Sequence, residues 1–413
     1  MIIKKPVITT TINEITIQFP IESSRGKEFL WYRIDKNYQD FISDQCDAAV
    51  VALLIPAMEM DENIYIEGAI SERLYRHLTD PCQKLLKEIM PFLNSIRIET
   101  KDFSHLNHNA NGICAGFSAG IDSFCLLNDY YYKDIPNGLK LTHLVYNNVG
   151  SHFERGEALF EKRYLRILPL IEYIGLPLIK INSNLDSFYK NSKDRNLGFG
   201  QTHTLRNASI PFLLQNGIKC FYYASGYSYN LLFVGETTDI AHIDPIILSQ
   251  LSSESLDLIS VGGEYTRVQK TMIVANIPES YNNLDVCLAP RQDGSNCSKC
   301  IKCMRTQFTL EITGNLHFYN NVFKIKTYEK NRNRYIAEII RQTRFNLLKS
   351  TSIDPFLTEI DEYCKNTNYK YPIISYIIAF LKFIHSPDFL IDLVEKINKL
   401  SIQIMNRLTR QFH

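Results

Sequence analysis

The chain has 413 residues, of which 45% are hydrophobic and 22% are charged, so its composition excludes a disordered or fibrous protein and its length predicts two or three domains. A total of 45 Lys and Arg residues against 44 Asp and Glu residues gives a net charge of +1. This balance argues against the broad basic surface that nucleic-acid-binding proteins usually carry.

The sequence contains no segment typical of a membrane or secreted protein. Its longest apolar run, from Ala48 to Met58, has about half the length that a bilayer requires. The first residues, MIIKKPVITTT, lack the apolar core and cleavage site of a signal peptide. We therefore expect a cytoplasmic protein that has no membrane partner.

Residues 1–108 are predicted to form a small α+β domain. The segment SERLYRHLTDPCQKLLKEIM has the period of an amphipathic helix, with Ser71 as its N-cap. Alternating apolar and polar residues predict strands at TINEITIQF and NIYIEG.

A polar segment from Lys101 to Gly112 marks the predicted boundary to a second domain, residues 109–310. Short apolar runs alternate there with helical segments, which predicts an α/β fold with a doubly wound parallel sheet. Ligands bind beyond the carboxyl ends of the strands in such sheets. The predicted strands are GICAGF, LTHLVYN, PLIKIN and CFYYASG.

Residues 311–413 are predicted to be mostly helical, with helical periods from about residue 328. The apolar segment PIISYIIAFLKFI is too short to span a membrane and predicts a buried helix or the face of a homodimer. Eight basic and two acidic residues lie between Lys324 and Lys349. They indicate a surface for an acidic protein segment, a phosphate-rich ligand or RNA, or else a solvated helix face.

The stretch GFSAGIDSF, residues 116–124, places small and hydroxyl-bearing residues between a predicted strand and a predicted helix. Backbone N–H groups and the helix dipole can hold a phosphate chain at such a position. Gly120 would allow close approach of the backbone, Ser118 and Ser123 would donate hydroxyl groups, and Asp122 would hold Mg²⁺. The alternative is an ordinary turn that contains glycine and is capped by serine.

Four cysteines fall within 17 residues, at the spacing C-x9-C-x2-C-x2-C, whereas the other six are scattered. This spacing predicts a tetrahedral Zn²⁺ site. An iron–sulfur cluster, thiols left free for sulfur transfer and unliganded buried cysteines are the alternatives. The predicted ligands are Cys287, Cys297, Cys300 and Cys303.

The turn Ser118-Ala119-Gly120-Ile121-Asp122-Ser123 resembles the S-G-G-x-D-S signature of the PP-loop ATP pyrophosphatase superfamily, with Ala119 at the second position of the signature, where the family has glycine. The resemblance implies an adenine nucleotide alpha hydrolase-like fold that binds ATP and Mg²⁺ through this turn. The Cβ atom of Ala119 must then fit beside the phosphates, so we expect its φ to be negative or mildly strained.

Together with the cysteine spacing, this turn resembles the 7-cyano-7-deazaguanine synthases (QueC-like proteins), over residues 112–310. The segments TLRNASIPFLL and EYTRVQKTMIVANI are similar to two further family segments, although Leu205 replaces a family glycine. The resemblance implies a catalytic set of Asp122, Ser123, Arg206, Arg267 and Lys270. It implies nucleotide contacts from Ser118, Ala119, Gly120, Ile121, Asp122, Ser123, Asn147, Arg206 and Asn207.

Several histidines and aspartates give weaker signals. His152 is a candidate acid or base, although a lone histidine in a loop is more often structural. The same holds for His203 and His242. Asp239 and Asp244 could bind a second metal ion, although caps of loops are the commoner role.

The resemblance implies an ATP-dependent ligase. A carboxylate or amide oxygen would attack the α-phosphorus, pyrophosphate would leave, and a nitrogen donor would take the acyl group, while zinc would be structural. By analogy the substrate is a deazapurine-type acid or a protein or peptide, in antiphage defence or specialised metabolism. A tRNA-thiolating PP-loop enzyme and a non-catalytic nucleotide-binding adaptor are the alternatives.

Overall fold

The computed structural model describes residues 1–104, 110–152, 156–190, 197–345, 354–384, 394 and 396–402. The chain divides into two compact units, Met1–Tyr265 and Thr266–His413. This division differs from the three segments 1–108, 109–310 and 311–413 expected from the sequence. Strands before and after residue 108 pair in one sheet, so residues 1–265 form one unit. Residues 266–310, which include the four clustered cysteines, belong to the second unit.

The first unit contains all the described strands and eight of the α-helices. Its strands are β1 (Ile2–Ile3), β2 (Val7–Thr10), β3 (Glu14–Ser23), β4 (Gly26–Asp35), β5 (Ile64–Ser71), β6 (Ile98–Ser104), β7 (Gly112–Gly116), β8 (His143–Asn147), β9 (Leu178–Ser183), β10 (Ile218–Ala224) and β11 (Asp257–Val261). Its helices are α1 (Asp47–Met60), α2 (Glu72–Thr79), α3 (Pro81–Ile89), α4 (Ile121–Leu127), α5 (Gly156–Ile174), α6 (Leu185–Lys190), α7 (Phe199–Phe212) and α8 (Asp244–Leu251).

The described strands form one eleven-stranded sheet in the order β11-β10-β7-β8-β9-β4-β3-β1-β5-β6, with β2 also paired to β3. The five strands from β7 to β11 are parallel to their neighbours. Antiparallel pairing of β4 with β9, in which Ile34 lies opposite Ile181, joins the N-terminal strands to this parallel part. The predicted α/β class and parallel sheet are therefore confirmed.

The parallel part reverses direction beside β7. From β7 the chain proceeds through β8 and β9 on one side, and then returns to place β10 and β11 on the other side. Because parallel crossovers are right-handed, the helices before and after this return cover opposite faces of the sheet. Ligands bind at such a reversal in open α/β sheets, and we call the region at the carboxyl ends of β7 and β10 the crevice.

The N-terminal elements follow their sequence patterns closely. Side chains of β3 alternate between buried and half-buried positions, as a period of two requires. The apolar run from Ala48 to Met58 lies within α1, which is buried almost all round and packs against α7. The single helix predicted after Ser71 is two helices, α2 and α3, because Pro81 cannot continue the first one.

The second unit is helical in its described residues. Its helices are α9 (Arg267–Val274), α10 (Ser280–Asn283), α11 (Ile301–Ile312), α12 (Ile325–Ile340), α13 (Pro355–Asn366) and α14 (Ile373–Phe383). Phe308, Ile336 and Ile360 lie in its apolar core. Most of the helical period predicted near the end of the chain falls outside the described residues, which include 394 and 396–402 there. No helix in the described part of the chain is long and apolar enough to cross a bilayer.

A buried polar network surrounds Asp47 in the first turn of α1. Its carboxylate accepts hydrogen bonds from the Ser71 backbone at 3.0 Å and from the Gln215 amide at 3.3 Å. The Gln215 side chain also donates to Ser43 Oγ and accepts from Ser255 Oγ. Burial raises the pKa of Asp47 to about 6.

Replacement of Asp47 by Asn should change how stability depends on pH. The pKa of Asp47 is higher in the folded chain than in the unfolded chain, so ionisation between about pH 4 and pH 6 destabilises the wild type by up to about 3 kcal/mol. The variant lacks this ionisation. We expect its free energy of unfolding, measured in urea at pH 4, 5 and 6, to rise relative to wild type over this interval.

The matched control is Asp44→Asn, because Asp44 is exposed and its ion pair with Lys5 lies at the surface. The free energy of unfolding of this control, relative to wild type, should change much less between pH 4 and pH 6. A difference between Asp47→Asn and wild type that stays constant from pH 4 to pH 6 would contradict the prediction.

Candidate functional site

The candidate phosphate-binding turn follows β7, the strand at the reversal of the sheet. Phe117 N donates to Val145 O at 2.9 Å and thereby extends the pairing of β7 with β8. Gly120 is the N-cap of α4, and its carbonyl oxygen accepts from Phe124 N at 3.0 Å. The turn therefore lies at the crevice between the carboxyl ends of β7 and β10, with the first turn of a helix directly after it.

Ala119 adopts a left-handed backbone conformation with φ of +56°, and its side chain is fully buried. Of the two outcomes expected for this residue, the structure has the strained one. A left-handed conformation costs an L-residue about 1–2 kcal/mol, which explains a glycine at this position in the signature that the turn resembles. Gly120 itself is extended, with φ of −85°.

The other residues of the turn differ in accessibility. Ser118 is exposed, and Asp122 is half-buried in the first turn of α4. Ile121 and Ser123 are buried. Ser123 Oγ donates to Gly120 O at 3.0 Å, so this hydroxyl group stabilises the start of its own helix.

Arg206 lies in the interior of the first unit, with only 1% of its surface exposed. Its Nη1 donates to Val149 O at 3.0 Å and to Asp186 Oδ1 at 2.7 Å, and its Nε donates to Thr202 Oγ1 at 2.8 Å. The guanidinium carbon lies 3.7 Å from the centre of the Tyr189 ring. This burial favours a positioning role over the direct ligand contact that the resemblance implied.

The loop that Arg206 positions is the one after β8. Gly150 has φ of +107°, and a Cβ atom there would overlap Arg206 Nη1 and Asp186 Oδ1. Asn147 is half-buried at the carboxyl end of β8, next to the β7 turn in the sheet. Asn207 donates to His203 O of its own helix at 2.7 Å. Asn147 therefore lies at the edge of the crevice, whereas the Asn207 side chain bonds within its own helix, α7.

The candidate histidines occupy structural positions. Burial lowers the pKa of His152 to about 4, and its Nε2 lies 3.3 Å from the hydroxyl group of Tyr146. His203 lies between Tyr223, at 2.8 Å, and Asp239, at 3.1 Å. His152 is therefore neutral near pH 7, and both ring nitrogens of His203 have partners.

The remaining weak candidates also have structural contacts. His242 stacks on Tyr227, with ring centres 4.0 Å apart, and its Nδ1 lies 2.8 Å from Leu231 O. Asp239 accepts from Ala241 N at 3.0 Å and caps the short helix there. Asp244 is buried and accepts from Thr204 at 2.7 Å. These contacts favour loop caps over a second metal site.

A second turn at the crevice does not follow from the sequence pattern. Ser225 and Gly226 come directly after β10, across from the β7 turn, whereas the pattern places them at the end of the strand CFYYASG. Ser225 is fully buried, its N donates to Val261 O at 2.9 Å, and its Oγ donates to Tyr227 O at 2.7 Å. The signal available in the sequence was a serine and a glycine directly after a buried strand.

Arg267 and Lys270 lie on α9 in the second unit. The helix begins with a capping box between Thr266 and Gln269. Arg267 N donates to Glu359 Oε2 at 2.7 Å. Only 2% of the surface of Lys270 is exposed, so this residue does not face solvent.

The four clustered cysteines meet in the second unit, where their sulfur atoms all lie within 4.8 Å of one another. The Sγ atoms of Cys287 and Cys300 are 3.9 Å apart, and those of Cys297 and Cys303 are 4.0 Å apart. A tetrahedral ion with sulfur ligands at about 2.3 Å requires sulfur atoms about 3.8 Å apart. The cluster can therefore hold a single metal ion such as zinc.

Local backbone geometry creates this arrangement. Cys297 N donates to Cys287 Sγ at 3.3 Å, and Cys300 N donates to Cys297 Sγ at 3.2 Å. Ser298, which lies between Cys297 and Cys300, has φ of +62°, and this left-handed conformation lets the chain reverse tightly. Cys303 lies in the first turn of α11, where the helix dipole favours a thiolate.

The distances between the sulfur atoms also bear on the kind of metal site. A four-iron cluster binds each thiolate through a different iron and separates the sulfur atoms more widely than one ion does. The observed distances fit one ion.

No protein-family model, curated protein or solved structure matches the chain.

The left-handed conformation of Ala119 predicts an ordered response to substitution. Ala119→Gly should leave the free energy of unfolding within about 1 kcal/mol of wild type, because it relieves backbone strain while it removes one buried methyl group. Ala119→Val should destabilise the protein by more than about 2 kcal/mol, because a β-branched residue is poorly tolerated at positive φ and the site is buried. Denaturant unfolding measures both, and equal stability of the two variants would contradict the assigned backbone.

We expect the purified protein to contain about one metal ion per chain, bound by the cysteine cluster. Cys297→Ser should weaken metal binding by at least about 10-fold and lower the melting temperature, because a ligand is lost. Elemental analysis and a chelator titration measure the metal. Cys364→Ser is the matched control, since Cys364 is another buried cysteine of the second unit outside the cluster. Equal metal loss in both variants would refute the assignment.

Proposed function

We propose that the protein is an ATP-dependent ligase of the PP-loop, QueC-like type, which activates a carboxylate or amide oxygen and transfers the acyl group to a nitrogen donor. One observation carries the proposal. The turn from Ser118 to Ser123, which resembles the phosphate-binding signature, follows the central strand where the sheet order reverses. Open α/β sheets bind ligands at this position, and a turn of small residues before a helix suits a phosphate chain.

In the proposed reaction, the β7 turn binds the phosphates of ATP, and Asp122 would hold Mg²⁺, which neutralises charge on the phosphates. A substrate carboxylate oxygen attacks the α-phosphorus, and the bond to the bridging oxygen breaks with release of pyrophosphate. A nitrogen donor then attacks the acyl carbon and expels AMP, which forms an amide. Alignment of the reactants and stabilisation of the leaving group would supply most of the rate.

In this proposal the predicted residues have different parts. Ser118 and Asp122 would contact the phosphates, Asn147 would border the ligand, and Arg206 would hold the loop after β8 through its bond to Val149 O. Arg267 and Lys270 belong to the second unit, and their proposed catalytic role rests on the resemblance alone. The acyl substrate would be a deazapurine-type acid or a protein or peptide terminus, by analogy with the group that the chain resembles.

We further propose that the cysteine cluster binds Zn²⁺ in a structural role. Four thiolates complete a tetrahedral shell and leave no position open for substrate. The same closeness of the sulfur atoms speaks against the tRNA-thiolating alternative, since sulfur transfer requires thiols that are free of metal. A nucleotide-binding adaptor without catalysis is the second candidate, and it differs from the ligase in whether ATP is consumed.

The test of the proposal measures ATP binding and pyrophosphate release with a panel of acids and ammonium as the nitrogen donor. Wild type should bind ATP and form AMP and pyrophosphate with at least one acid. Asp122→Asn should reduce the rate by at least about 100-fold, because one stabilising group for the phosphates is lost. Asp129→Asn should retain the wild-type rate, because Asp129 forms an ion pair with Lys133 beyond the end of α4.

The outcomes separate the candidates. If the protein binds ATP but releases no pyrophosphate with any acid of the panel, the adaptor is favoured. Absence of ATP binding by folded, metal-loaded protein would refute both candidates.

A further inference from the structure

The helix α14 presents a row of apolar side chains to solvent. Ile373, Ile377, Phe380 and Ile384 are exposed to 79%, 41%, 54% and 51% of their surfaces, respectively. We call these four residues the α14 stripe. The opposite side of the helix packs into the core of the second unit through Ile374, Ile378 and Ala379. The helix is therefore apolar on its solvent side as well as on its core side.

This pattern departs from that of an ordinary surface helix, whose solvent side is polar or charged. No charged residue occurs in the sequence between Lys370 and Lys382. The stripe residues are separated by four, three and four positions, which is the spacing of apolar residues along the seam between two paired helices. The stripe therefore has the form of one half of a helix–helix contact.

The spacing is also symmetric about its centre. Ile373 and Ile384 lie equally far from the midpoint between positions 378 and 379, and so do Ile377 and Phe380. Two copies of such a stripe match each other when one helix runs antiparallel to the other across a two-fold axis. An isologous contact requires this self-complementarity, in which residue i meets residue j and residue j meets residue i.

We propose that the α14 stripe is the contact between two copies of this chain in a homodimer. The two α14 helices pair antiparallel, with Ile373 against the partner's Ile384 and Ile377 against the partner's Phe380.

The area of the stripe sets the strength of this dimer. A large apolar side chain covers roughly 200 Å², so the exposed fractions amount to on the order of 400 Å² per chain. Stable complexes bury about 800 Å² per partner. The contact therefore supports a weak, reversible dimer that forms at high protein concentration, and the inference does not depend on the proposed ligase activity.

Sedimentation equilibrium of the full chain over a range of concentrations tests the proposal. Wild type should show a monomer–dimer equilibrium. Ile377→Glu should weaken the dimer by at least about 10-fold, because it places a charge in the centre of the contact. Leu165→Glu is the matched control, since Leu165 is 63% exposed on α5 and lies outside the stripe. Thermal unfolding should confirm that both variants fold.

Cysteine cross-linking tests the antiparallel arrangement. A mixture of Ile377→Cys and Phe380→Cys chains, oxidised with diamide, should form disulfide-linked pairs faster than either variant alone. A wild type that stays monomeric at all concentrations would overturn the proposal. A dimer that Ile377→Glu and Leu165→Glu weaken equally, or that neither weakens, would also overturn the proposal. Preferential cross-linking of Ile377→Cys to a second copy of itself would overturn the antiparallel pairing.

Discussion

The reversal of strand order beside β7 is the constraint on which the candidate site depends. Parallel strands bring their carboxyl ends to one edge of the sheet. The chain leaves β7 towards β8 and β9 and later returns to β10 on the other side, so no connection between strands crosses the edge beside β7. The turns after β7, β8 and β10 therefore meet at one crevice. The small residues from Ser118 to Ser123 acquire their proposed meaning from this placement, because the same turn elsewhere on the surface would face no ligand site.

Rigid supports hold the turns of the crevice in place. Ala119 accepts a left-handed backbone, and Arg206 fixes the loop after β8 through its carbonyl bond and its ion pair with Asp186. Strain and buried charge both cost stability, and they persist only where the surrounding structure determines them fully. Their occurrence on two adjacent turns at one edge of the sheet is consistent with a site whose geometry has been selected over its stability.

The cysteine cluster depends on local geometry much more than the turns of the crevice do. Its four sulfur atoms come from one short stretch of chain, and N–H···S bonds within that stretch orient two of them. An ion bound there would stabilise residues around the start of α11 and thus the helical core of the second unit. The buried core of the second unit contrasts with the exposed apolar side chains of the α14 stripe.

The sequence by itself determined the features that depend on neighbouring residues: the strands β7 to β10, the turn of small residues from Ser118 to Ser123, and the cysteine spacing that brings four thiols together. It did not determine that the N-terminal strands extend the same sheet, because the β4–β9 pair joins residues about 150 positions apart and alternation does not specify a partner. Nor did it reveal that Arg206 and Lys270 are buried, since a basic residue on a helix looks alike in sequence whether it faces water or the core. Tertiary structure decided these points, because burial and strand pairing arise from contacts between distant parts of the chain.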